Sequence, residues 1–178
     1  MPELRHDLTT STPAEFAESI GRAVLAWRDI EHRSANLYVW LLDARNAQGA
    51  ITSFYAVHSM TVRAMMLKSA AHHMFQSPDM EDLAGEFDTV MDQLAECSRL
   101  RNRLSHSEVA EELTDDGWSY SLKIPEATAL AIGIGRGGKV KASPLDFPAI
   151  KGAEGQFRRA AEAMFALEQQ LRERLESL

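Results

Sequence analysis

The fold of this chain is decided by residues 79–110, which read DMEDLAGEFDTVMDQLAECSRLRNRLSHSEVA. Apolar side chains recur in this stretch at alternating steps of three and four residues, and they are Met80, Leu83, Phe87, Val90, Leu94 and Cys97. This spacing is typical of an amphipathic helix whose apolar stripe faces a core. We therefore predict one long helix over about 79–110.

Two more helices are predicted before this one. Thr12 and Glu15 form a capping box, and the same three-and-four spacing follows it, so we predict a helix over about 13–46. A second helix is predicted over about 50–76. Its apolar side is formed by Ile51, Tyr55, Val62 and Met65. Short turns join the three helices, which favours antiparallel packing.

The pattern changes after the third helix. Residues 118–124 alternate between apolar and polar side chains and so predict a strand. Residues 126–143 are rich in glycine and predict a second strand or irregular segment, a glycine turn and a short strand around Val140. Asp146 then caps a last helix, with Pro148 just inside it.

These elements predict a mainly α fold. We expect a single domain over 1–178, an antiparallel four-helix bundle with a small β-hairpin insert at about 112–145, before the last helix. The length suits one domain of ordinary size with its own core.

Composition narrows the classes of function. The net charge of −7 makes general DNA binding improbable, because proteins that neutralise many phosphates are usually basic. No apolar run reaches the roughly 20 residues that span a bilayer, so we expect no membrane association. The single cysteine, Cys97, lies on the apolar stripe and is expected to be a buried thiol rather than a link between chains. These features predict a cytoplasmic protein.

Arg101 conflicts with the stripe that surrounds it. It stands where the spacing asks for an apolar side chain, and an unpaired guanidinium in a core costs several kcal/mol, roughly. It therefore needs a partner or a wet cavity. Glu31, on the flank of the apolar stripe of the first helix, is the best candidate partner by position, and a purely structural Arg101–Glu31 pair is one interpretation.

A phosphate site is the other interpretation. Arg99, Arg101, Arg103, Ser105 and His106 lie close together in an otherwise acidic chain. Arginine grips phosphate oxygens through a planar charged fork, and histidine can carry a proton at neutral pH. On a regular helix, however, His106 points about 140° away from Arg101, because each residue turns about 100°. Either the helix bends near Ser105, or a second chain completes the site across a twofold axis.

At these residues the sequence resembles the HEPN superfamily. Its signature is an arginine, a polar residue directly after it, and a histidine after four to six intervening residues. The chain carries this as Arg101-Asn102-Arg103-Leu104-Ser105-His106. The predicted helical bundle, with an insert before the final helix, also agrees with the family.

The resemblance implies a metal-independent endoribonuclease that acts as a homodimer. Arg101 would hold the scissile phosphate, His106 would be the general base or acid for attack by the ribose 2′-hydroxyl, and Asn102 would orient either group. Glu31 matches no part of this motif, and its pairing with Arg101 is inferred from helix spacing alone. Members of this family also serve in toxin–antitoxin and phage-defence systems, which implies an antitoxin or another system component as a partner.

Two alternatives stay open. The family includes members that do not cut RNA but bind nucleotides or regulate partners, and the acidic balance suits such a role. An unrelated helical domain with a structural Arg101 is the second alternative. No spacing typical of a metal site is present, and we expect neither a metal nor a cofactor.

Overall fold

The computed structural model describes residues 11–114, 117–125, 128 and 143–177, and this part of the chain is mainly helical. It contains five α-helices, a single 3₁₀ turn at Glu81–Leu83 and three short strands. The helices are α1 (Pro13–Leu41), α2 (Ala47–Ala56), α3 (Met60–Met74), α4 (Ala84–Ser105) and α5 (Phe147–Ser177). None of the described helices is long and apolar enough to cross a membrane.

Helix α1 begins and ends at recognisable signals. The Thr12 and Glu15 side chains exchange hydrogen bonds with each other's backbone N–H groups, at 3.2 and 2.8 Å, which confirms the capping box. At the other end, the Asp43 and Ala44 N–H groups donate to the carbonyls of Trp40 and Val39. Asp43 adopts the left-handed conformation with φ of 44°, so α1 ends in a Schellman motif well before residue 46.

The predicted helix over 50–76 is two helices. The helical hydrogen bonds stop at Val57, where the backbone becomes extended, and Ser59 starts α3 by accepting a hydrogen bond from the N–H of Val62. The predicted apolar side of this segment is therefore wrong. Phe54, Leu67, Ala70 and Ala71 are buried instead, together with Arg63, whereas Tyr55, Val62 and Met65 are exposed.

Helix α4 ends at Ser105, and the expected helical residues up to 110 are largely strand. Strand β1 (Glu108–Thr114) pairs antiparallel with β2 (Gly117–Lys123), with Val109 opposite Leu122 and Leu113 opposite Trp118. The insert therefore begins about four residues earlier than predicted. Strand β2 confirms the strand predicted from the alternation at residues 118–124. Pairing with β2 holds the residues of β1 in an extended conformation.

The other end of the insert leads directly into α5. Strand β3 (Leu145–Asp146) pairs antiparallel with β2, which gives the sheet order β1-β2-β3. The Asp146 side chain accepts a hydrogen bond from the N–H of Ala149 at 2.9 Å, as its predicted capping role requires. The predicted glycine turn and the short strand around Val140 lie outside the described residues.

The chain divides into two compact units. The first, called here the sheet unit, comprises Met1–Leu25 and Arg99–Gly155, and the second, the helical unit, comprises Ala26–Ser98 and Gln156–Leu178. In the sheet unit, the Phe16 ring of α1 contacts the Tyr120 ring of β2, with 5.9 Å between centroids. Its buried apolar side chains include Ala23, Leu104, Leu122, Leu145, Ile150 and Ala153.

In the helical unit, α1 and α5 run in the same direction. Three contacts show this: the Trp27 and Phe157 rings at 5.6 Å, the Ser34 hydroxyl and Met164 sulfur at 3.6 Å, and the Arg33–Glu168 ion pair at 3.5 Å. Residue numbers rise together along both helices, so this pair departs from the expected antiparallel packing.

Helix α5 runs antiparallel to the segment that contains α4. Cys97 Sγ lies 3.9 Å from the Gln156 carbonyl, Gln170 donates to Glu86, and Arg174 pairs with Asp82 at 2.9 Å. The stripe predicted from Met80 through Cys97 is buried, which confirms the pattern that opened the sequence analysis.

Candidate functional site

The basic cluster predicted from the sequence forms the last turns of α4, in the sheet unit. Arg99, Asn102, Arg103 and His106 are spaced at three, four and seven residues and therefore share one helix face. Arg99 and His106 are exposed, whereas Asn102 and Arg103 are half-buried. We call this set the α4 basic face. Ser105 is exposed as well, but its hydroxyl donates back to the Asn102 carbonyl at 3.4 Å.

Arg101 contacts the α4 basic face, although helix spacing directs its Cβ to another side of the helix. Its guanidinium Nη1 donates to Asn102 Oδ1 at 3.2 Å. Asn102 is the next residue along the helix, so the guanidinium lies beside one member of the α4 basic face. The side chain of Arg101 is half-buried, as expected for a long polar side chain at the end of an apolar stripe.

His106 continues the helical path for one residue beyond α4. Its backbone N–H donates to the Asn102 carbonyl at 3.1 Å, which is the i to i−4 bond of an α-helix. The helix is therefore not bent near Ser105, and the side chains of Asn102 and His106 are neighbours one turn apart. Asn102 therefore connects the two residues: its side chain accepts from Arg101, and its carbonyl accepts from the backbone of His106.

Arg103 has a contact that the sequence did not predict. Its Nη2 donates to the Ser143 carbonyl at 2.6 Å, where the described chain resumes before β3. Its Nε is buried and has no hydrogen-bond partner in the described part of the chain. Arg103 therefore holds the insert against the end of α4, which is a structural task for a residue expected to bind a ligand.

Glu31 lies in the helical unit and pairs there with Arg63. Arg63 Nη1 donates to Glu31 Oε1 at 3.2 Å, and Arg63 Nε donates to the Val57 carbonyl at 2.7 Å. The Arg63 guanidinium also lies over the rings of Phe54 and Tyr55, at 5.4 and 5.1 Å. Only 6% of the Arg63 surface is exposed, so a buried arginine does occur in this protein, at a different position.

The burial of Arg63 was not predicted, although the sequence contains a signal for it. Arg63, Leu67, Ala70 and Met74 follow steps of four, three and four, so Arg63 stands in an apolar stripe as Arg101 does. The break at residue 57 explains the miss. A single helix over 50–76 places the apolar side elsewhere and makes Arg63 look exposed.

In the helical unit, burial shifts the pKa of Tyr55 and of Cys97. Burial raises the pKa of Tyr55, and the nearby Glu31 carboxylate raises it further. Burial likewise raises the pKa of Cys97 to about 11, with a smaller contribution from Glu96. Cys97 is thus a buried, poorly nucleophilic thiol, as its place on the stripe predicted.

The helical unit contains an apolar groove. It has a volume of about 750 Å³ and lies between the end of α1, at Tyr38 and Leu42, and the face of α3 that carries Val62, Met65 and Met66. Met65, which lies on this face, is 58% exposed. Within the described residues, no three His, Cys, Asp or Glu side chains form a cluster that could hold a metal ion.

Comparison with known proteins gives no further assignment. No family model matches the chain, and neither a curated protein nor a solved structure is significantly similar to it.

Proposed function

We propose that this chain is a HEPN-like endoribonuclease that cleaves RNA without a metal ion and acts as a homodimer. One observation carries the proposal: the Arg101 guanidinium is hydrogen-bonded to Asn102, on the same helix face as the exposed His106. A permanent cation and a proton carrier beside each other are what phosphodiester cleavage by an internal hydroxyl needs.

The proposed reaction uses three side chains. Arg101 binds the non-bridging oxygens of the scissile phosphate and stabilises the negative charge that builds up on them. His106 accepts the proton of the ribose 2′-hydroxyl, whose oxygen attacks phosphorus. The bond to the 5′-oxygen breaks, and that oxygen takes up a proton from the imidazolium or from water. The products are a 2′,3′-cyclic phosphate and a 5′-hydroxyl. Asn102 acts as a positioning residue, because its Oδ1 fixes the guanidinium.

The proposal extends to the biological setting that the motif implies. In this proposal, α2 and α3 together take the place of one helix of that family's four-helix bundle. The protein acts in the cytoplasm, as a toxin or phage-defence component with an antitoxin-like partner. A second chain across a twofold axis doubles the number of Arg101 and His106 side chains in the groove.

A cleavage assay tests the reaction. The substrate is a labelled RNA with one ribose in an otherwise 2′-deoxy strand, and EDTA is present throughout. We expect a cyclic-phosphate product, with rates that fall by about 100-fold or more in Arg101→Ala and His106→Ala. Arg28→Ala and His72→Ala, which alter exposed side chains of the helical unit, serve as matched controls with unchanged activity.

Two results contradict the ribonuclease. One is full activity in His106→Ala, which removes that residue from the chemistry. The other is the absence of cleavage by the unaltered protein for every RNA offered. Melting curves of each variant separate a lost catalytic group from a lost fold.

A nucleotide-binding protein without catalysis is the second candidate, and Arg103 favours it. Arg103 donates a hydrogen bond to the Ser143 carbonyl within the protein. Of the three arginines of the cluster, it is therefore the one less able to bind the phosphates of a long RNA strand. This candidate predicts binding of a mononucleotide that requires Arg101 but not His106, together with no cleavage.

A further inference from the structure

A second surface of the sheet unit has features of a binding site, and it lies on the hairpin rather than on α4. Strand β1 pairs with β2 on one side, and in the described sheet it is an edge strand. The backbone N–H and C=O groups on the outer side of such a strand are free to pair with another extended segment.

One face of the hairpin adds an exposed apolar row to this edge. The strand register places Val109, Glu111, Leu113, Trp118, Tyr120 and Leu122 on that face. Leu122 is buried and Tyr120 contacts Phe16, whereas Val109, Leu113 and Trp118 are 55%, 68% and 55% exposed. Leu113 and Trp118 lie opposite each other, so they form a continuous apolar patch at the far end of the hairpin.

The charges on β1 determine which partner fits. Glu108, Glu111 and Glu112 lie on the strand, which carries no lysine or arginine, and Lys123 opposite Glu108 offsets one of them. Carboxylates repel the phosphates of RNA. They also disfavour a second copy of the chain, because full antiparallel overlap of two β1 strands places each Glu111 directly opposite the other.

We propose that β1 binds an extended segment of a partner protein by strand addition, and that this segment alternates apolar and basic residues. The backbone ladder supplies affinity, the apolar side chains cover Val109 and Leu113, and the basic side chains face Glu108 and Glu112, which lie on the other face of the strand. The proposal does not depend on the ribonuclease, because the edge of β1 and the α4 basic face have no residue in common.

The test uses the full chain and a fluorescein-labelled peptide of alternating lysine and valine, as long as β1 with its 7 residues. Fluorescence anisotropy should show saturable binding. A Glu108→Lys/Glu112→Lys variant should bind about tenfold more weakly, because two favourable cross-strand charge pairs on the same face become repulsive. Asp92→Lys, a charge reversal at an exposed position of α4, should bind as the unaltered protein does.

A second pair of variants tests the apolar row. Leu113→Ala should weaken binding severalfold, and Leu25→Ala, an equally exposed leucine on α1, should leave it unchanged. Amide hydrogen exchange gives an independent measurement, since strand addition should add protection at residues 108–114 when the peptide is bound.

Three results overturn the proposal. Lack of saturable binding is the first. Equal binding of a peptide in which proline replaces every valine is the second, because that peptide keeps the charge but cannot form the ladder. The third is a concentration-dependent dimer that Leu113→Glu disrupts, which would show that a second copy covers this edge.

Discussion

Arg63 and Arg101 show what decides the role of an arginine in a helical stripe. Arg63 is buried and has a carboxylate, a carbonyl and two aromatic rings around its guanidinium. These contacts offset the cost of removing the charge from water, so Arg63 is a structural residue. Arg101 is half-buried, and its guanidinium donates a hydrogen bond to the neutral amide of Asn102.

The structural role of Arg63 predicts that mutation of its ion pair lowers the stability of the fold. Arg63→Ala should lower the free energy of unfolding by about 3 kcal/mol, because it removes the ion pair and leaves the Val57 carbonyl without its donor. Glu31→Gln should cost less, about 1 kcal/mol, since the amide oxygen still accepts a hydrogen bond. Urea denaturation followed by circular dichroism measures both values.

Arg28→Ala is the matched control for Arg63, because Arg28 is an exposed arginine of the same unit. Its free energy of unfolding should stay within about 0.5 kcal/mol of the unaltered protein. If Arg63→Ala lowered the free energy of unfolding as little as Arg28→Ala, the buried ion pair of Arg63 with Glu31 would not stabilise the fold.

At the scale of elements, the end of α1 offers a test of local backbone strain. Asp43 holds a positive φ that glycine adopts at no steric cost, and a residue in this position ends many helices. Asp43→Gly should therefore raise the free energy of unfolding by about 0.5–1 kcal/mol, and Asp43→Val should lower it. Thermal and urea denaturation of the three proteins give the order directly, and a destabilised glycine variant would contradict the assignment.

Elements with local signals were predictable from the sequence. The Thr12–Glu15 box, the Asp146 cap and the stripe of α4 depend on residues within one or two turns of each other, and all three were found. The sequence also predicted the basic cluster from Arg99 to His106, and the role of these residues as a site stays a prediction.

Elements that depend on distant contacts were not predictable. The sequence of β1, EVAEELT, suits a helix as well as a strand, and its extended form comes from pairing with β2. The break between α2 and α3 contains neither proline nor glycine; Arg63 bonds there to the Val57 carbonyl and to Glu31 on α1. The reach of Arg101 to Asn102 was missed for a related reason, because helix spacing gives the direction of Cβ and not the course of a long side chain.

For the whole molecule, the distribution of charge matters more than its sum. The net charge of −7 argues against sequence-independent binding to nucleic acid, yet the last turns of α4 are basic. Strand β1 begins two residues after His106 and carries three glutamates, so RNA phosphates would be repelled along that strand. We expect RNA to bind along the α4 basic face, away from the hairpin, with a short footprint.

The central claim is that Arg101 and His106 serve one phosphate. It is tested most directly by NMR titration of the intact protein with a short RNA whose reactive 2′-hydroxyl is replaced by hydrogen. The imidazole signals of His106 and the Nε–H signal of Arg101 should shift together with a single dissociation constant, and the His106 shift should disappear in Arg101→Ala. Saturation of Arg101 with an unchanged His106 spectrum would contradict the account.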